Sequence, residues 1–261
     1  IYKTFNAGTV NEKTALNGLN LHLNEGDFVT VIGGNGAGKS TMLNAVAGTW
    51  FVDEGKITID DIDVTKLPEH KRAKYLGRVF QDPMTGTAAT MQIEENMALA
   101  ARRGMTRSLK AGITAKEREF YREQLKILGL GLEDRLTSKV GLLSGGQRQA
   151  LTLLMATMNP PKLLLLDEHT AALDPGTAEK VLNLTKRIVE EHQLTCLMIT
   201  HNMQSALDLG NRILMMDSGN IVLDIHEEEK KGLTVEGLLE KFKTGAGKML
   251  DNDRILLSGE K

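Results

Sequence analysis

The sequence has little cysteine, little excess charge and no long apolar run. Cys196 is the single cysteine in 261 residues, which excludes an internal disulfide framework and favours a reducing compartment. The formal net charge of −2 gives no strong field toward nucleic acid or anionic lipid. No apolar run approaches the roughly 20 residues of a membrane-spanning helix, and residues 1–5 form no apolar signal segment. We therefore predict a cytoplasmic protein that has no membrane span and does not bind nucleic acid.

The first third of the chain has the pattern of short, half-buried strands, shown best by the alternation of Leu19, Leu21 and Leu23. Strands are predicted there at residues 17–24, 28–33, 57–59 and 79–80. Residues 85–160 have helical spacing instead, and Thr114 opens a capping box that marks the start of a helix.

The later part of the chain alternates between strand and helix. The apolar segment Leu163–Leu166 precedes a helical pattern over 177–191 and an apolar strand that contains Cys196 and ends at Thr200. Strand, helix and strand in this order predict a parallel sheet covered on both faces, so the expected fold class is α/β. A hairpin turn is predicted at 218–220, and one further helix at 234–243.

A glycine-rich segment between a predicted strand and a predicted helix fits the pattern G-x-x-x-x-G-K-[ST]. Its residues are Gly33, Gly34, Asn35, Gly36, Ala37, Gly38, Lys39 and Ser40, followed by Thr41. Glycines let the backbone N–H groups wrap around phosphates, and the helix N-terminus adds a positive dipole end. Lys39 would then reach the β- and γ-phosphates of ATP, and the Ser40 hydroxyl would bind Mg²⁺.

A second chemical signal stands at the end of the apolar segment Leu163–Leu166, where Asp167 and Glu168 follow directly. The carboxyl ends of strands in a parallel sheet open onto the crevice where ligands bind. We predict that Asp167 holds Mg²⁺ and that Glu168 polarises the attacking water. Read from these two signals alone, the chain could still be a kinase or a GTPase.

A further set of motifs narrows the family. Leu143-Ser144-Gly145-Gly146-Gln147 begins a helix, Gln81 follows a short strand, Asp174 ends Ala172-Leu173-Asp174, and His201 follows the strand that ends at Thr200. With the glycine-rich segment and the Asp167-Glu168 pair, this set resembles the ATP-binding subunits of ABC transporters over roughly residues 1–225. The resemblance implies a P-loop NTPase core of 1–84 and 161–225, with an N-terminal antiparallel β subdomain, an inserted helical subdomain at 85–160 and a C-terminal tail at 226–261.

The resemblance also implies site roles. Ser144, Gly145, Gly146 and Gln147 of one chain would close on the γ-phosphate held by a second chain. Gln81 would contact Mg²⁺ and the attacking water, His201 would contact the γ-phosphate, and Asp174 would lie at the seam between subunits. Phe5 is the expected adenine-stacking residue, with Tyr2 as the alternative.

Histidine use departs from the family in one place. His169 follows Glu168 where many members have proline. Two interpretations are that it tunes the environment of Glu168 or that it is a tolerated variant at the seam between subunits, and we favour the second. The other histidines are predicted to lie at the surface without forming a metal site, and they are His22, His70, His192 and His226.

The favoured function is an ATPase subunit that works as a dimer and binds a separate membrane permease through residues 84–96. An importer of amino-acid-like or other small organic solutes is favoured, with an extracytoplasmic substrate-binding protein and a location on the cytoplasmic face of the membrane. The alternatives are the ATPase of an exporter and a non-transport ABC ATPase, for example of iron–sulfur assembly. A small-molecule kinase would leave Ser144–Gln147 unexplained.

Overall fold

The computed structural model describes residues 1–105 and 112–246. Within this range the strands, numbered in chain order, are β1 (Tyr2–Phe5), β2 (Lys13–Asn17), β3 (Phe28–Gly33), β4 (Thr58–Ile59), β5 (Ile62–Asp63), β6 (Leu76–Val79), β7 (Leu163–Asp167), β8 (Cys196–Ile199), β9 (Arg212–Asp217) and β10 (Asn220–His226). The helices are α1 (Lys39–Ala47), α2 (Glu69–Arg72), α3 (Ile93–Ala101), α4 (Ala115–Lys126), α5 (Gly145–Thr157), α6 (Pro175–Glu191), α7 (Met203–Asp208), α8 (Glu227–Lys230) and α9 (Val235–Ala246).

These elements form two compact units, each described by itself below. The first unit contains Ile1–Arg72 and the residues from Thr195 onward, and the second contains Ala73–Leu194. The predicted α/β class is confirmed, with parallel strand pairs, an N-terminal antiparallel β region and an inserted set of helices. The division into 1–84, 85–160, 161–225 and 226–261 stays a prediction. Of the residues it covers, 106–111 and 247–261 lie outside the described range.

The core of the first unit is β3, whose six residues are all buried. It pairs in parallel with β8 on one side and with β9 on the other. The antiparallel strand β10 extends this set through the turn at Ser218 and Gly219, which confirms the predicted hairpin. Helix α9 packs on the same core through Leu238 and Phe242. The Cys196 side chain is buried in β8, as predicted, and burial raises the pKa of its thiol.

The prediction of a strand over 17–24 is wrong. The strand lies earlier in the chain, because β2 spans Lys13–Asn17 and pairs antiparallel with β1. Gly18, just after the end of β2, adopts a left-handed conformation with φ of 79°. Leu19 is buried and exchanges backbone hydrogen bonds with Ile1, whereas Leu21 and Leu23 are half-buried and lie outside any strand.

The second unit combines the parallel pair β6 and β7 with helices α3 to α6. Thr114 caps α4 through a capping box with Glu117, as the sequence predicts. Helix α5 is buried over most of its surface, and α6 buries one stripe that includes Val181, Leu184 and Ile188. Among the described residues, no helix is both long and apolar enough to span a bilayer.

A fully buried arginine of the first unit closes the end of α1. The Arg72 guanidinium donates to the carbonyl oxygens of Ala45 at 2.7 Å and Val46 at 2.9 Å, both in the last turn of α1. It also donates to the carbonyl oxygens of Leu67 at 2.7 Å and Thr65 at 3.0 Å. Carbonyls at a helix C-terminus lack partners within the helix, and a cation there is favoured by the helix dipole. Arg72 therefore ties the distal end of α1 to the segment that precedes α2.

We predict that Arg72→Met lowers the free energy of unfolding by about 3 kcal/mol, because buried carbonyls lose a charged donor. Urea denaturation followed by circular dichroism measures this loss. The matched control is Arg122→Met, which removes an exposed arginine paired with Glu119 on α4 and is expected to change stability by less than about 0.5 kcal/mol. Equal stability of the two variants would contradict the assignment.

Candidate functional site

The glycine-rich segment joins β3 to α1 and is fixed by neighbouring backbone. A Cβ at Gly33, where φ is 147°, would lie 2.2 Å from the carbonyl oxygen of Met216. A Cβ at Gly38, where φ is 100°, would lie 2.5 Å from the carbonyl oxygen of Ala15. Both positions therefore require glycine, because any side chain would push the segment off β2 and β9.

The N-terminus of α1 suits an anion. Its N-cap is Gly38, so no side chain occupies the cap position of the first turn. Lys39 is 5% exposed, and its Nζ donates to the carbonyl oxygens of Gly33 at 2.8 Å and Gly34 at 3.1 Å. The lysine thus lies folded back along the segment, with its ammonium group against two carbonyl oxygens at the start of the segment. Asn35, Gly36 and Ser40 are exposed here, Thr41 is half-buried and Ala37 is buried.

A distant hairpin turn supports the same segment. The Gly219 N–H, in the turn between β9 and β10, donates to the Ala37 carbonyl oxygen at 3.0 Å. This contact was missed in the sequence, because nothing in the local pattern links positions so far apart. The predicted hairpin therefore supports the glycine-rich segment.

His201 lies at the same edge of the sheet as the loop. Strands β3 and β8 are parallel with Val31 opposite Ile199, so Gly33 and His201 each stand two residues beyond a paired position. The Thr200 N–H donates to the Val31 carbonyl oxygen at 3.1 Å, which extends this alignment. Asn202 then caps α7 by accepting from the Ser205 N–H at 2.9 Å. The first unit thus brings His201 and the glycine-rich segment to one edge.

The second unit repeats this arrangement with Gln81 and the acidic pair. Strands β6 and β7 are parallel with Val79 opposite Leu166, so Gln81 and Glu168 both stand two residues past the pairing. Asp167 is the last residue of β7. Glu168 has a φ of 46°, a left-handed conformation that costs an L-residue about 1–2 kcal/mol. Strain of this kind is concentrated at functional sites.

The predicted helix cap at Ser144 is confirmed. Ser144 Oγ accepts from the Gln147 N–H at 3.2 Å, and Gln147 Oε1 accepts from the Ser144 N–H at 3.2 Å. The N-terminus of α5 lies beside that of α6, because a Cβ at Gly146 would be 2.1 Å from the Thr177 methyl group. A Cβ at Gly145 would likewise be 3.3 Å from the Leu173 side chain.

Asp174 is the N-cap of α6, with Pro175 at the first helical position. Its Oδ1 accepts from the Thr177 N–H at 3.1 Å, and hydrogen bonding by Thr177 holds the pKa of this carboxyl below its usual value. The structure therefore groups Ser144, Gly146 and Asp174 at adjoining helix N-termini in the second unit.

Phe5 is half-buried at the end of β1. Its ring meets that of Trp50 edge to face, with centroids 5.5 Å apart, and Lys3 Nζ lies 5.5 Å from the Phe5 centroid. Tyr2 is 45% exposed, and its hydroxyl lies against Gly18 instead. Adenine stacking by Phe5 remains a prediction, and Trp50 is a neighbouring aromatic that the sequence reading did not single out.

His169 is buried, which corrects the expectation of a side chain at a subunit seam. It is 2% exposed, and its Nε2 lies 2.9 Å from Thr185 Oγ1 on α6. Thr185 donates its own proton to the Val181 carbonyl oxygen at 2.8 Å, so it accepts from the Nε2–H of His169. Burial lowers the pKa of His169 to about 4. The remaining histidines (His22, His70, His192 and His226) are exposed, as predicted.

We predict that His169 makes the protein sensitive to mild acid. The pKa of His169 is near its ordinary value of 6.5 in the unfolded chain and about 4 in the folded chain. The free energy of unfolding therefore keeps the full contribution of the neutral imidazole above pH 6.5, and it loses this contribution progressively as the pH falls toward 4. The slope is about 1.4 kcal/mol per pH unit, or about 2 kcal/mol between pH 7 and pH 5. Urea denaturation at both pH values should show this loss in the wild type, beyond the loss shown by His169→Gln. Identical pH dependence in the two proteins would contradict the account.

Comparison with known proteins places this arrangement in a family. Residues 16–171 match the family described as ABC transporter. The chain is 45% identical over 229 residues to the tyrosine transport ATP-binding protein of Clostridioides difficile, covering 88% of this chain and 91% of that protein. It is 32% identical over 247 residues to the methionine import ATP-binding protein of Streptococcus agalactiae, covering 90% of this chain and 66% of that protein.

Solved structures agree with this result. A dimeric ATP-binding cassette in a post-hydrolysis state, bound to ADP and Pi, superposes with a TM-score of 0.73 at 31% identity and covers 87% of this chain and 96% of its own. An ATP-binding cassette of an ABC transporter in its ADP conformation gives a TM-score of 0.74 at 28% identity, with 93% and 95% covered. The chain therefore belongs to the ABC transporter family, as one of its ATP-binding and ATP-hydrolysing cassettes.

Proposed function

We propose that this chain powers a bacterial importer of small organic solutes, and that it does so as a dimer that closes on ATP. The observation that carries the proposal is the phosphate loop, which is anchored at Gly33 and Gly38 and is followed by a helix without a side-chain cap. Import is supported by the relatives, which include the tyrosine transport protein and the methionine and spermidine/putrescine import ATP-binding proteins. The exporter and iron–sulfur assembly alternatives have no such support.

The loop would bind the triphosphate of ATP. The N–H groups of the segment Gly34–Thr41 would face the β- and γ-phosphates, and the ammonium group of Lys39 would leave the carbonyl oxygens of Gly33 and Gly34 to contact them. Phe5 would stack on the adenine. The loop is held by backbone contacts, so it loses little conformational entropy when the phosphates bind.

Mg²⁺ fits the donors that these positions offer. Ser40 brings a hydroxyl, Asp167 a carboxylate and Gln81 an amide oxygen, which are the hard ligands that Mg²⁺ prefers. The described residues contain no group of three or more His, Cys, Asp or Glu side chains that could hold a metal by themselves. Mg²⁺ commonly binds through one or two carboxylates together with substrate phosphates, so this donor set is suitable. When bound, the ion would neutralise charge on the phosphates.

Hydrolysis would depend on three side chains at strand ends. Glu168 would accept the proton of the attacking water, and Gln81 would orient that water. His201 would hydrogen-bond the γ-phosphate and stabilise the charge that develops there. The strained backbone at Glu168 supports its role, since strain is retained where a surrounding structure requires one side-chain direction.

The helix N-terminus at Ser144 would act on the nucleotide of a partner chain. One loop already holds the phosphates, so a second anion-binding helix start on the same chain has a use if it closes on a neighbour's γ-phosphate. Ser144, Gly145, Gly146 and Gln147 would supply the donors. Asp174 adjoins this helix start, at the proposed seam between subunits, and would couple the two nucleotide sites of the dimer. The dimeric cassette with ADP and Pi supports a dimer of this kind.

The transport partners would lie at the membrane. A permease would contact residues 84–96, which begin three residues after Gln81, and Met84 is 47% exposed. The chain would then work at the cytoplasmic face of the membrane, with an extracytoplasmic substrate-binding protein delivering the solute. We propose no nucleic-acid partner, because the net charge of −2 gives no strong overall field toward nucleic acid.

For the solute we propose an amino acid or a similar small organic molecule. The support is the tyrosine transport ATP-binding protein, which is 45% identical and matched over 91% of its length. Uptake of labelled tyrosine by cells that express the chain with its permease tests this proposal. Uptake that is unchanged when Lys39 is replaced by alanine would contradict it.

We predict that Glu168→Gln lowers the hydrolysis rate at least ~100-fold, because the variant lacks a general base but keeps the shape of the side chain. ATP affinity should stay within about twofold of wild type, because the contacts that bind ATP before hydrolysis are unchanged. Phosphate release and calorimetry measure the two quantities, and light scattering should show an ATP-trapped dimer.

The matched control is Glu179→Gln, which removes an exposed carboxylate from α6 and should hydrolyse ATP at the wild-type rate. Retention of most of the hydrolysis rate by Glu168→Gln would contradict the assignment of Glu168 as the general base.

A further inference from the structure

A second lysine of the first unit approaches the phosphate loop from outside the loop motif. Lys13 is the first residue of β2, and its Nζ lies 3.4 Å from the position that a Cβ would take at Gly36. Gly36 is exposed at the turn of the loop. The ammonium group of Lys13 therefore stands beside the loop, whereas Lys39 reaches it from within α1.

The backbone fixes this placement. Strand β2 runs along the loop, because Ala15 presents its carbonyl oxygen 2.5 Å from a Cβ position at Gly38. Lys13 and Ala15 are two residues apart on the strand, as Gly36 and Gly38 are on the loop. The approach of the β2 backbone to the loop at Ala15 thus places the start of β2, from which the Lys13 side chain projects, beside Gly36.

Lys13 also lies next to the aromatic residue proposed for adenine. In the antiparallel pair β1–β2 the residue opposite Lys13 is Phe5. Side chains directly opposite in such a pair lie on the same face, with Cβ atoms about 4.5–5.5 Å apart. Phe5, Lys13 and Gly36 thus follow one another across one face of the first unit.

We propose that Lys13 is a second phosphate-binding cation of the nucleotide site, placed between the base and the loop. A nucleotide with its base on Phe5 and its β- and γ-phosphates in the loop has its α-phosphate between them, where Lys13 projects. The ligand class is a nucleoside di- or triphosphate. This inference rests on the proposed nucleotide site and adds a contact that the loop motif does not contain.

The contact is electrostatic, so its size should depend on salt. Lys13 is exposed, and an exposed charge is screened over about 10 Å at 0.1 M salt and about 3 Å at 1 M. At low salt we expect Lys13→Gln to weaken ADP binding about tenfold, and the difference from wild type should shrink at 1 M salt. Lys13→Arg should keep most of the affinity, because it keeps the charge.

Calorimetric titration with ADP and with tripolyphosphate tests the proposal. Tripolyphosphate has no base, so a direct phosphate contact predicts weaker binding of both ligands to Lys13→Gln. The charge-matched control is Lys71→Gln, which removes an exposed lysine from α2 of the same unit and should bind both ligands as wild type does. Lys13→Thr, with a residue of high strand propensity, serves as a second variant if glutamine weakens the hairpin.

Two results would overturn the proposal. In one, Lys13→Gln binds ADP as tightly as Lys71→Gln does. In the other, ADP binding weakens while tripolyphosphate binding is unchanged, which would mean that Lys13 acts through the Phe5 ring. Failure of the wild-type protein to bind ADP would instead contradict the proposed function, so the two failures are distinguishable.

Discussion

The close approach of backbone to backbone around the phosphate loop is the constraint on which the site depends. Met216 and Ala15 place carbonyl oxygens 2.2 Å and 2.5 Å from where side chains would begin at Gly33 and Gly38. The loop is therefore fixed by β9 and β2 before any ligand arrives, and the Gly219 N–H holds it at Ala37. A preorganised loop directs its N–H groups without the entropy cost of ordering them, which is the property that phosphate binding requires.

Parallel pairing within each unit places the side chains that we propose to be catalytic. In the first unit Val31 pairs with Ile199, and in the second Val79 pairs with Leu166. In each pair the polar residue stands two positions beyond the last paired one, as His201 does after β8 and Glu168 after β7. The apolar strands thus set where the reactive groups emerge, and a shift of register by one residue would turn them to the opposite face. The same apolar residues therefore determine how the strands pack and where the polar side chains at their ends lie.

The sequence predicted features that local chemistry determines. The loop, the apolar strand before Asp167, the caps at Ser144 and Thr114 and the hairpin at Ser218–Gly219 have short patterns with one physical interpretation. Prediction from the sequence failed where a pattern of residues fits two different structures. Alternating leucines at 19, 21 and 23 fit a strand, but β2 ends before Gly18, and the three leucines are buried or half-buried in a segment outside any strand. Contacts across long sequence separations, such as Gly219 with Ala37 or Thr185 with His169, leave no local signal and required the folded chain.

The central claim is that each ATP is held by the loop of one chain and the Ser144 helix start of another. Mixing two inactive variants tests it most directly. Lys39→Ala removes the lysine that we propose to bind phosphate, and Ser144→Arg blocks the helix start, so each variant alone should hydrolyse no ATP. Their mixture should recover hydrolysis, because a mixed dimer contains one site with an intact Lys39 and an intact Ser144. A mixture as inactive as its separate components, or full activity of Ser144→Arg alone, would contradict the account.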